Sequence, residues 1–305
     1  MRKIKKTAII GMGALGLLYG EQIQNALGKD AVTFVMDEAR YERHKEDIYE
    51  INGKVMSFNV TKVSEMKPAD LVIVATKSTG LESALDVMAP AVGEDTIIIS
   101  VLNGISSEGI IIERFGKERV LGCVAIGMDA MREGSKLQYC NKGRLQLGTL
   151  IPGQEEMLKS VVAFFDEIGQ AYEVKDDIMQ AMWSKFLLNV GVNQSCMVYE
   201  TSYAGVLEEG EVRDNTLKAM QEVLAVGQAE GICIGEADLQ RALTITAGLK
   251  PDGYPSMRQD AIAHRASEVE LFAGTIIKLA AKHGIEVPVN AWYYQKIKEI
   301  ESKYS

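Results

Sequence analysis

Three polar side chains recur at a regular interval in the segment 183–193, which is otherwise rich in large apolar residues. Lys185, Asn189 and Asn193 lie four residues apart, so each step along an α-helix rotates them by only about 40° and all three share one face. Burial between apolar neighbours disfavours the ammonium form of a lysine and makes it a readier proton donor near neutral pH. The segment therefore predicts a helix that holds a candidate general acid beside two amide groups. An amphipathic helix with a hydrated polar face is the alternative.

A glycine-rich segment near the amino terminus has the spacing of a dinucleotide-binding loop. It has the pattern GxGxxG, follows an apolar run and precedes a helical stretch, and it consists of Gly11, Met12, Gly13, Ala14, Leu15 and Gly16. In such a loop the first glycine permits a tight turn, the second lets the backbone approach a pyrophosphate, and the third allows close packing of helix on strand. The N–H groups at the start of the helix then face the phosphates. We expect these residues to bind a dinucleotide; a glycine-rich turn that serves packing alone is the alternative.

An acidic residue follows this loop at an informative distance. Asp37 lies at the end of the second predicted strand, 21 residues after Gly16. At that distance an NAD-type site places a carboxylate on the ribose 2′-OH, and the same carboxylate repels the 2′-phosphate of NADP. Arg40, Arg43 and Lys77 offset part of this repulsion. The local sequence favours NADH slightly over NADPH; a solvated aspartate at a strand end is the alternative.

A second region with candidate residues lies near the carboxyl terminus. The segment PSMRQD at 255–260 predicts a helix that begins with Ser256 as N-cap and Gln259 closing a capping box. Glu268 is expected further along the same helix, with His264 one turn before it. Judged by residue type and periodicity alone, Ser256 is a structural cap, and Glu268 and His264 are surface residues.

Short apolar runs alternate with helical stretches in the first half of the chain. They are rich in Val and Ile and are TAIIG at 7–11, VTFVM at 32–36, LVIVAT at 71–76, TIIISVL at 96–102 and RVLGCVAI at 119–126. Such runs are typical of strands buried on both faces of a parallel sheet, and their alternation with helices indicates βαβ units. Residues 128–149 predict a polar antiparallel hairpin at the edge of this sheet.

The second half of the chain is expected to be helical. After about Val174 long helical patterns follow, with Gly231, Gly248 and Gly284 placed as helix stops. The predicted fold is α/β, with a Rossmann-like dinucleotide-binding domain at 1–174 followed by an all-helical substrate and catalytic domain at 175–305. Ligands of such a sheet bind outside the carboxyl ends of its strands.

The overall composition excludes several classes of protein. The 305 residues have a formal charge of −9, which argues against a nucleic-acid partner. Four scattered cysteines and three histidines indicate a reducing cytoplasm and predict no metal site. The apolar run at 7–20 has 14 residues, too few to span a bilayer, which needs about 20. We therefore expect a cytoplasmic protein without a membrane partner.

Several of these segments, taken in order, resemble the ketopantoate reductase (2-dehydropantoate 2-reductase) family. The matching motifs are GMGALG at 11–16, ATKS at 75–78, LNG at 102–104, GRLQLG at 143–148, WSKFLLNVGVN at 183–193 and PSMRQD at 255–260, with Glu268 twelve residues past Ser256. The resemblance covers nearly the whole chain. It implies a Rossmann-like oxidoreductase that transfers a hydride from NAD(P)H to ketopantoate and forms pantoate for pantothenate and coenzyme A biosynthesis.

The resemblance also implies roles for the residues that match the family's substrate site. Lys185 matches the catalytic lysine that donates a proton to the substrate carbonyl oxygen. Glu268 matches the catalytic carboxylate that binds the substrate hydroxyl and helps to order that lysine. Asn189, Asn193 and Ser256 match positions that contact the substrate, a small 2-keto acid.

On the cofactor side, Asn103 matches a position beside the nicotinamide and Lys77 a position at the adenosine end. NADPH-dependent members commonly have Arg where this chain has Asp37, and some members have a further Asn where an ungapped count gives Tyr203. The resemblance therefore implies NAD(P)H as cofactor, and Asp37 favours NADH slightly against the family habit of NADPH.

Two other functions agree with the same residues. One is an NAD-dependent D-2-hydroxyacid dehydrogenase of the same family. The other is a non-catalytic dinucleotide sensor whose helical domain serves a protein partner, and in that protein Lys185 is dispensable. The long terminal helices also suit a homodimer formed through the helical domain.

Overall fold

The computed structural model describes residues 2–304, with the side chain of Ser78 outside that description. Its strands, in chain order, are β1 (Thr7–Ile10), β2 (Val32–Met36), β3 (Tyr49–Ile51), β4 (Lys54–Met56), β5 (Val60–Lys62), β6 (Leu71–Val74), β7 (Ile97–Ser100), β8 (Gly122–Met128), β9 (Met131–Glu133), β10 (Lys136–Gln138), β11 (Lys142–Gly148) and β12 (Tyr172–Val174).

The helices are α1 (Ala14–Leu27), α2 (Glu38–His44), α3 (Leu81–Met88), α4 (Ser107–Phe115), α5 (Glu155–Ile168), α6 (Ile178–Leu188), α7 (Gln194–Val198), α8 (Glu211–Ala229), α9 (Glu236–Ala247), α10 (Ser256–Ile262), α11 (Thr275–His283) and α12 (Pro288–Glu301). Two wider turns interrupt the later helices: the first π turn (Asn189–Asn193) joins α6 to α7, and the second π turn (Glu270–Gly274) leads into α11.

The chain forms two compact units. The α/β unit comprises Met1–Asn103 and Ser107–Ile178, and the helical unit comprises Gly104–Ser106 and Met179–Ser305. The sequence predicts the division directly after β12, between residues 174 and 175, whereas the two units divide at the start of α6.

A five-stranded parallel sheet forms the main part of the α/β unit, with strand order β5-β2-β1-β6-β7. Thr7 at the start of β1 pairs with Val32 of β2 on one side and with Leu71 of β6 on the other. The strand order reverses at β1, and in open α/β sheets ligands bind at such a reversal, outside the carboxyl ends of the strands. The Rossmann-like fold expected from the sequence is confirmed.

Both faces of this sheet are largely buried at β1, β2, β6 and β7, which explains their apolar runs, whereas the edge strand β5 is half-buried. Successive side chains of a strand point to opposite faces. Accordingly, Ile9 of β1 belongs to the buried cluster that includes Leu17 and Leu18 of α1, and Ile10 belongs to a second cluster that includes Leu85 of α3. Full burial of one such side chain stabilises the fold by about 1.5–3 kcal/mol relative to exposure.

Two predictions about the edge of this sheet are wrong. The run 119–126 does not supply another parallel strand: an isolated bridge joins Val120 to Ile98, and β8 pairs antiparallel with β11 in a separate sheet of order β12-β11-β8. The hairpin expected at 128–149 is divided, because β10 belongs to a third sheet of order β4-β3-β10-β9. The partners β3 and β4 have three residues each and lie far away in the chain, so local patterning did not reveal them.

The helical unit is built around one buried apolar cluster. Its helix α8 packs against the first π turn, α11 and α12. The approach of α8 to the π turn is close, because a Cβ added at Gly191 would lie 2.6 Å from the side chain of Met220. From Met179 to residue 304 the described chain contains no strand, as predicted. Across residues 2–304, no helix combines the length and the apolar character needed to cross a membrane.

The start of α10 differs from the prediction. Ser256 is its first helical residue, Pro255 takes the N-cap position, and no side chain caps the helix. The predicted capping box is therefore wrong, and the Gln259 side chain instead donates a hydrogen bond to the carbonyl oxygen of Tyr254 at 3.3 Å. Because Pro255 has no backbone N–H group, the start of this helix has one unsatisfied backbone donor fewer than other helix starts.

Helix α10 ends at Ile262, so the prediction that Glu268 lies on the same helix is also wrong. His264 has a φ of 51°, a left-handed conformation that an α-helix cannot contain. Its ring stacks on Tyr304 with the ring centres 5.2 Å apart. Glu268 instead starts the next helical segment, since its carbonyl oxygen accepts the N–H of Leu271 at 2.9 Å.

Candidate active site

The glycine loop follows β1 and leads directly into α1. Gly11 has a φ of 104°, and a Cβ at this position would lie 2.6 Å from the carbonyl oxygen of Ala75. A Cβ on Gly16 would lie 2.0 Å from the carbonyl oxygen of Gly11. Backbone packing inside the α/β unit therefore requires glycine at both positions.

Gly13 has no such requirement. Its φ of −72° suits any residue, and the nearest atom to an added Cβ is the Ala75 carbonyl oxygen at 3.7 Å, an ordinary contact. Gly13 is the N-cap of α1, and the first turn of that helix has neither a side-chain cap nor an acidic residue. Uncapped N–H groups at a helix start bind anions. Packing within the protein therefore does not require glycine here, and the position leaves room for the close approach of a pyrophosphate.

The remaining predicted cofactor residues lie at the same edge of the sheet as this loop. Asp37 directly follows β2, Lys77 lies three residues past the end of β6, and Asn103 three residues past the end of β7. These strands and β1 are parallel neighbours, so the residues that follow them gather at one edge. Lys77 is exposed and Asn103 is half-buried.

Asp37 also has a local structural role. It is the N-cap of α2, where its Oδ1 accepts the N–H of Arg40 at 2.8 Å, and the Arg40 Nε lies 3.5 Å from its Oδ2. A cap of this kind stabilises a protein by about 1 kcal/mol. The side chain remains 43% exposed, and a carboxylate has lone pairs left for a hydroxyl ligand. Capping and ribose binding are therefore compatible.

A cavity of about 290 Å³ lies beside the glycine loop. It is lined by Gly11, Met12, Gly13, Val35, Met36, Arg40, His44, Tyr49 and Arg132. The sequence did not single out Arg132, which lies on β9. Its Nη1 donates to the carbonyl oxygen of Met12, and its guanidinium lies 5.4 Å from the centre of the Tyr49 ring. A cationic side chain from another sheet therefore fixes the glycine loop, and no local motif signals this contact.

Tyr49 stays neutral in this cavity. Burial, followed by the neighbouring Asp47 carboxylate, raises the pKa of Tyr49 to about 12. The phenol donates to the Oδ2 of Asp47 at 3.1 Å, and its ring presents an electron-rich face to Arg132, an arrangement that favours the cation.

These features fit a nicotinamide dinucleotide. The loop offers an uncapped helix start at Gly13, and the basic residues Arg40 and Arg132 are among those that line the adjoining cavity. Next to the loop, the hydroxyl of Thr76 is buried and has no hydrogen-bond partner among the described residues. Buried hydroxyls are normally satisfied, so an orphaned one beside Gly11 agrees with a polar ligand at this edge.

The predicted substrate residues begin in α6. Lys185 is half-buried near the end of this helix. Asn189 and Asn193 are the first and last residues of the first π turn, and their exposed fractions are 7% and 5%. A π turn holds an extra residue, which displaces later side chains by about 100° relative to a continuous α-helix. The predicted helix is therefore α-helical only as far as Leu188 and continues through Asn193 as a π turn, so the segment is helical throughout.

Other predicted substrate residues lie on segments that contact this π turn. Helix α10, which begins with the exposed Ser256, packs against it. The second π turn, which starts two residues after the half-buried Glu268, also contacts it. The helical unit thus brings together the segments that hold a lysine, two amides, a hydroxyl and a carboxylate. Such a set can bind a small acid and transfer a proton to it.

A parallel sheet with a glycine loop at its switch point, followed by a helical unit with these polar groups, defines a dinucleotide-dependent oxidoreductase. The family model "Ketopantoate reductase PanE/ApbA" matches residues 7–151, and the model of its C-terminal part matches residues 177–301. The chain belongs to the ketopantoate reductase family, as its motifs predict. It is an NAD(P)-dependent oxidoreductase of a family that acts on a keto acid.

Individual relatives agree with this assignment. The 2-dehydropantoate 2-reductase of Streptococcus pyogenes serotype M1 is 26% identical over 290 residues, which are 92% of each protein. The crystal structure of 2-dehydropantoate 2-reductase from Geobacter metallireducens GS-15 has a TM-score of 0.83 at 26% identity and covers 96% of this chain and 99% of that one. A complex of D-mandelate dehydrogenase with NADH has a TM-score of 0.86 at 23% identity, covers 98% of this chain and all of that chain, and shows the fold.

Proposed function

We propose that this protein reduces ketopantoate to pantoate, a step of pantothenate biosynthesis, with NAD(P)H as the reductant. The bound nicotinamide supplies the hydride. In this proposal the α/β unit binds the cofactor and the helical unit binds the keto acid. The main support is the position of Lys185 on α6, four residues before a π turn with two buried amides, Asn189 and Asn193. Helix α10 and the second π turn pack against this π turn.

Each polar group of the helical unit has a part in the proposed reaction. The Lys185 ammonium donates a proton to the substrate oxygen, which becomes the hydroxyl of the product, and its charge stabilises negative charge that develops there. Asn189, Asn193 and Ser256 hydrogen-bond the keto acid and fix its orientation. Glu268 accepts a hydrogen bond from the substrate hydroxyl and helps to orient the lysine. Water competes little with buried amides, so they hold a small acid firmly.

Steady-state oxidation of NADH and NADPH across a panel of 2-keto acids tests this function. Ketopantoate is expected to give the highest kcat/KM, and Lys185→Ala to lower kcat by about 10²–10⁴-fold. Lys218→Ala is the matched control, because Lys218 is an exposed lysine on α8 of the same unit. An unchanged kcat in Lys185→Ala removes this lysine from the mechanism. Preference for another 2-keto acid indicates a D-2-hydroxyacid dehydrogenase, and cofactor binding without turnover indicates a sensor.

For the cofactor we propose a modest preference for NADH over NADPH. Asp37 directly follows β2, the strand whose carboxyl end lies beside the ribose in this fold. Its carboxylate would repel a 2′-phosphate. Arg40 opposes this effect because it lies in the cavity and is exposed, but it also pairs with Asp37. The preference follows from the balance between these two groups.

The kcat/KM and Kd of both cofactors, measured in the native protein and in Asp37→Asn and Asp37→Arg, test this preference. Asn keeps the N-cap while it removes the charge, so Asp37→Asn separates electrostatics from helix stability. Both substitutions are expected to raise the NADPH-to-NADH ratio, by about tenfold for Asp37→Arg, which is about 1.4 kcal/mol. If the native protein prefers NADPH by about tenfold or more, Asp37 does not control the ribose site.

The homodimer expected from the sequence stays a prediction, which sedimentation velocity over a range of concentrations tests.

A further inference from the structure

A fully buried glutamine connects the two π turns of the helical unit. Gln194, the first residue of α7, is 0% exposed. Its Nε2 donates to the carbonyl oxygen of Val190 in the first π turn at 2.9 Å. Its Oε1 accepts the N–H of Ala273 in the second π turn at 3.2 Å. A single side chain therefore joins the segment of the two substrate asparagines to the segment that follows Glu268.

The same amide extends the network to α12 and α8. The Nε2 of Gln194 also donates to the Oδ1 of Asn290 at 3.2 Å. The Nδ2 of Asn290 in turn donates to the carboxylate of Glu222 at 2.7 Å and to the carbonyl oxygen of Ala219 at 3.2 Å. Glu222 also accepts the N–H of Val289 at the start of α12, at 2.8 Å. Both N–H donors and the acceptor of the glutamine are thus satisfied, and its side chain can adopt no other position without breaking these bonds.

We propose that Gln194 is a positioning residue that couples the two π turns. Through this coupling it fixes the positions of Asn189, Asn193 and Glu268 relative to the keto acid. This inference rests on the proposed function of those three residues. Gln194 itself acts through the backbone at Val190 and Ala273. A misplacement of about 1 Å at a reacting centre costs about 10²-fold in rate, so a small shift between the two turns is sufficient to impair the reaction.

Gln194→Met tests the proposal, because Met is close to Gln in volume but makes none of these hydrogen bonds. The expected result is a loss of about 10–100-fold in kcat/KM for ketopantoate, with an altered pH profile of kcat. The Kd of NADH, measured by fluorescence titration, is expected to stay at the native value, because the α/β unit binds the cofactor. If Gln194→Met does not fold, Gln194→Glu replaces it, since the carboxylate lacks the two donors to Val190 and Asn290.

Thr246→Val is the matched control for general destabilisation. Thr246 is 1% exposed on α9, and its hydroxyl donates to the carbonyl oxygen of Ala242 at 2.8 Å. The substitution removes a buried hydrogen bond of the same unit whose donor and acceptor both lie on α9 and not in either π turn. It is expected to lower Tm while kcat/KM stays within about twofold of native. A native kcat/KM in Gln194→Met, or an equal loss in Thr246→Val at equal Tm, overturns the proposal.

Asn193→Ala, measured in parallel, separates this inference from the proposed function. If Asn193→Ala loses activity and Gln194→Met does not, the coupling is refuted and the substrate site stands. If Asn193→Ala keeps native kcat/KM, the proposed substrate site is refuted and the inference fails with it. Loss in both variants, with native NADH affinity, supports the coupling.

Discussion

Alanine at two glycines of the loop is expected to separate cofactor binding from folding. Gly13 and Gly16 belong to the same motif and differ by three positions. An added methyl group would have its nearest neighbour at 3.7 Å at Gly13 but at 2.0 Å, a backbone oxygen, at Gly16. The two substitutions are chemically identical, so a difference between them reports only the local surroundings.

The expected magnitudes follow from these distances. At Gly13, alanine lowers the entropy of the unfolded state, which stabilises the fold, but it is a poorer N-cap than glycine, which destabilises it. The two effects nearly cancel, so the free energy of unfolding should change by less than about 1 kcal/mol. At Gly16 the helix must move away from Gly11, and overpacking of this kind costs about 1–3 kcal/mol. For a unit of this size that loss lowers Tm by about 2–4 °C per kcal/mol. A methyl group at Gly13 blocks the approach of the pyrophosphate and should weaken cofactor binding by about tenfold or more, about 1.4 kcal/mol.

The assay combines thermal unfolding with fluorescence titration of NADH and NADPH. Gly13→Ala should unfold at the native temperature and bind both cofactors weakly, whereas Gly16→Ala should unfold at a lower temperature. Native affinity for both cofactors in Gly13→Ala would refute the reasoning. The loop would then be a packing element alone, the alternative that its sequence leaves open.

Two further outcomes are expected in the α/β unit. Arg132→Gln removes the charged hydrogen bond to the glycine loop. It should raise the Kd of NADH by about tenfold and leave the KM for the keto acid unchanged. An unchanged Kd would show that the loop keeps its conformation without this contact. For Asp70, burial by itself raises the pKa, but hydrogen bonds from the backbone N–H groups of Lys5 and Lys6 and from Arg2 outweigh it and hold the pKa of the Asp70 carboxyl below its usual value. A lowered folded pKa contributes stability that is complete above the unfolded value and is lost as the pH falls through the folded one. Asp70→Asn should therefore reduce the free energy of unfolding at neutral pH by about 1–3 kcal/mol. In urea unfolding, this difference between the variant and the native protein should become smaller as the pH falls below 3.8, the ordinary pKa of the carboxyl group. A difference that does not change with pH would contradict the assignment.

The parallel sheet was predictable because each of its main strands is buried on both faces. β1 and β6 are four-residue runs of apolar or β-branched residues, and β2 matches its predicted range. The same argument misassigned the run 119–126, since β8 is also apolar but pairs with β11. Patterning shows that a strand is buried and does not show which sheet it joins. That choice depends on partners distant in sequence.

The candidate site was predictable where local spacing fixes geometry. The glycine loop and Asp37 belong to one βαβ unit, and a short stretch of chain defines their relation. Arg132 reaches the loop across 120 positions of sequence, so no local pattern reveals it. The left-handed turn at His264 was missed because glycine is the usual signal for such a helix end.

The burial of Asn189 and Asn193 in the first π turn bears on the two interpretations of the four-residue spacing. A hydrated polar face requires exposed amides, because amphipathic helices turn their polar residues to water. Asn189 and Asn193 are 7% and 5% exposed, so the hydrated face is excluded for these two residues. Burial of an amide is costly unless its polar atoms are satisfied, and replacement of both by apolar residues would remove that cost. Their position in a π turn, a rare element found frequently at functional sites, supports the role in keto-acid binding proposed above.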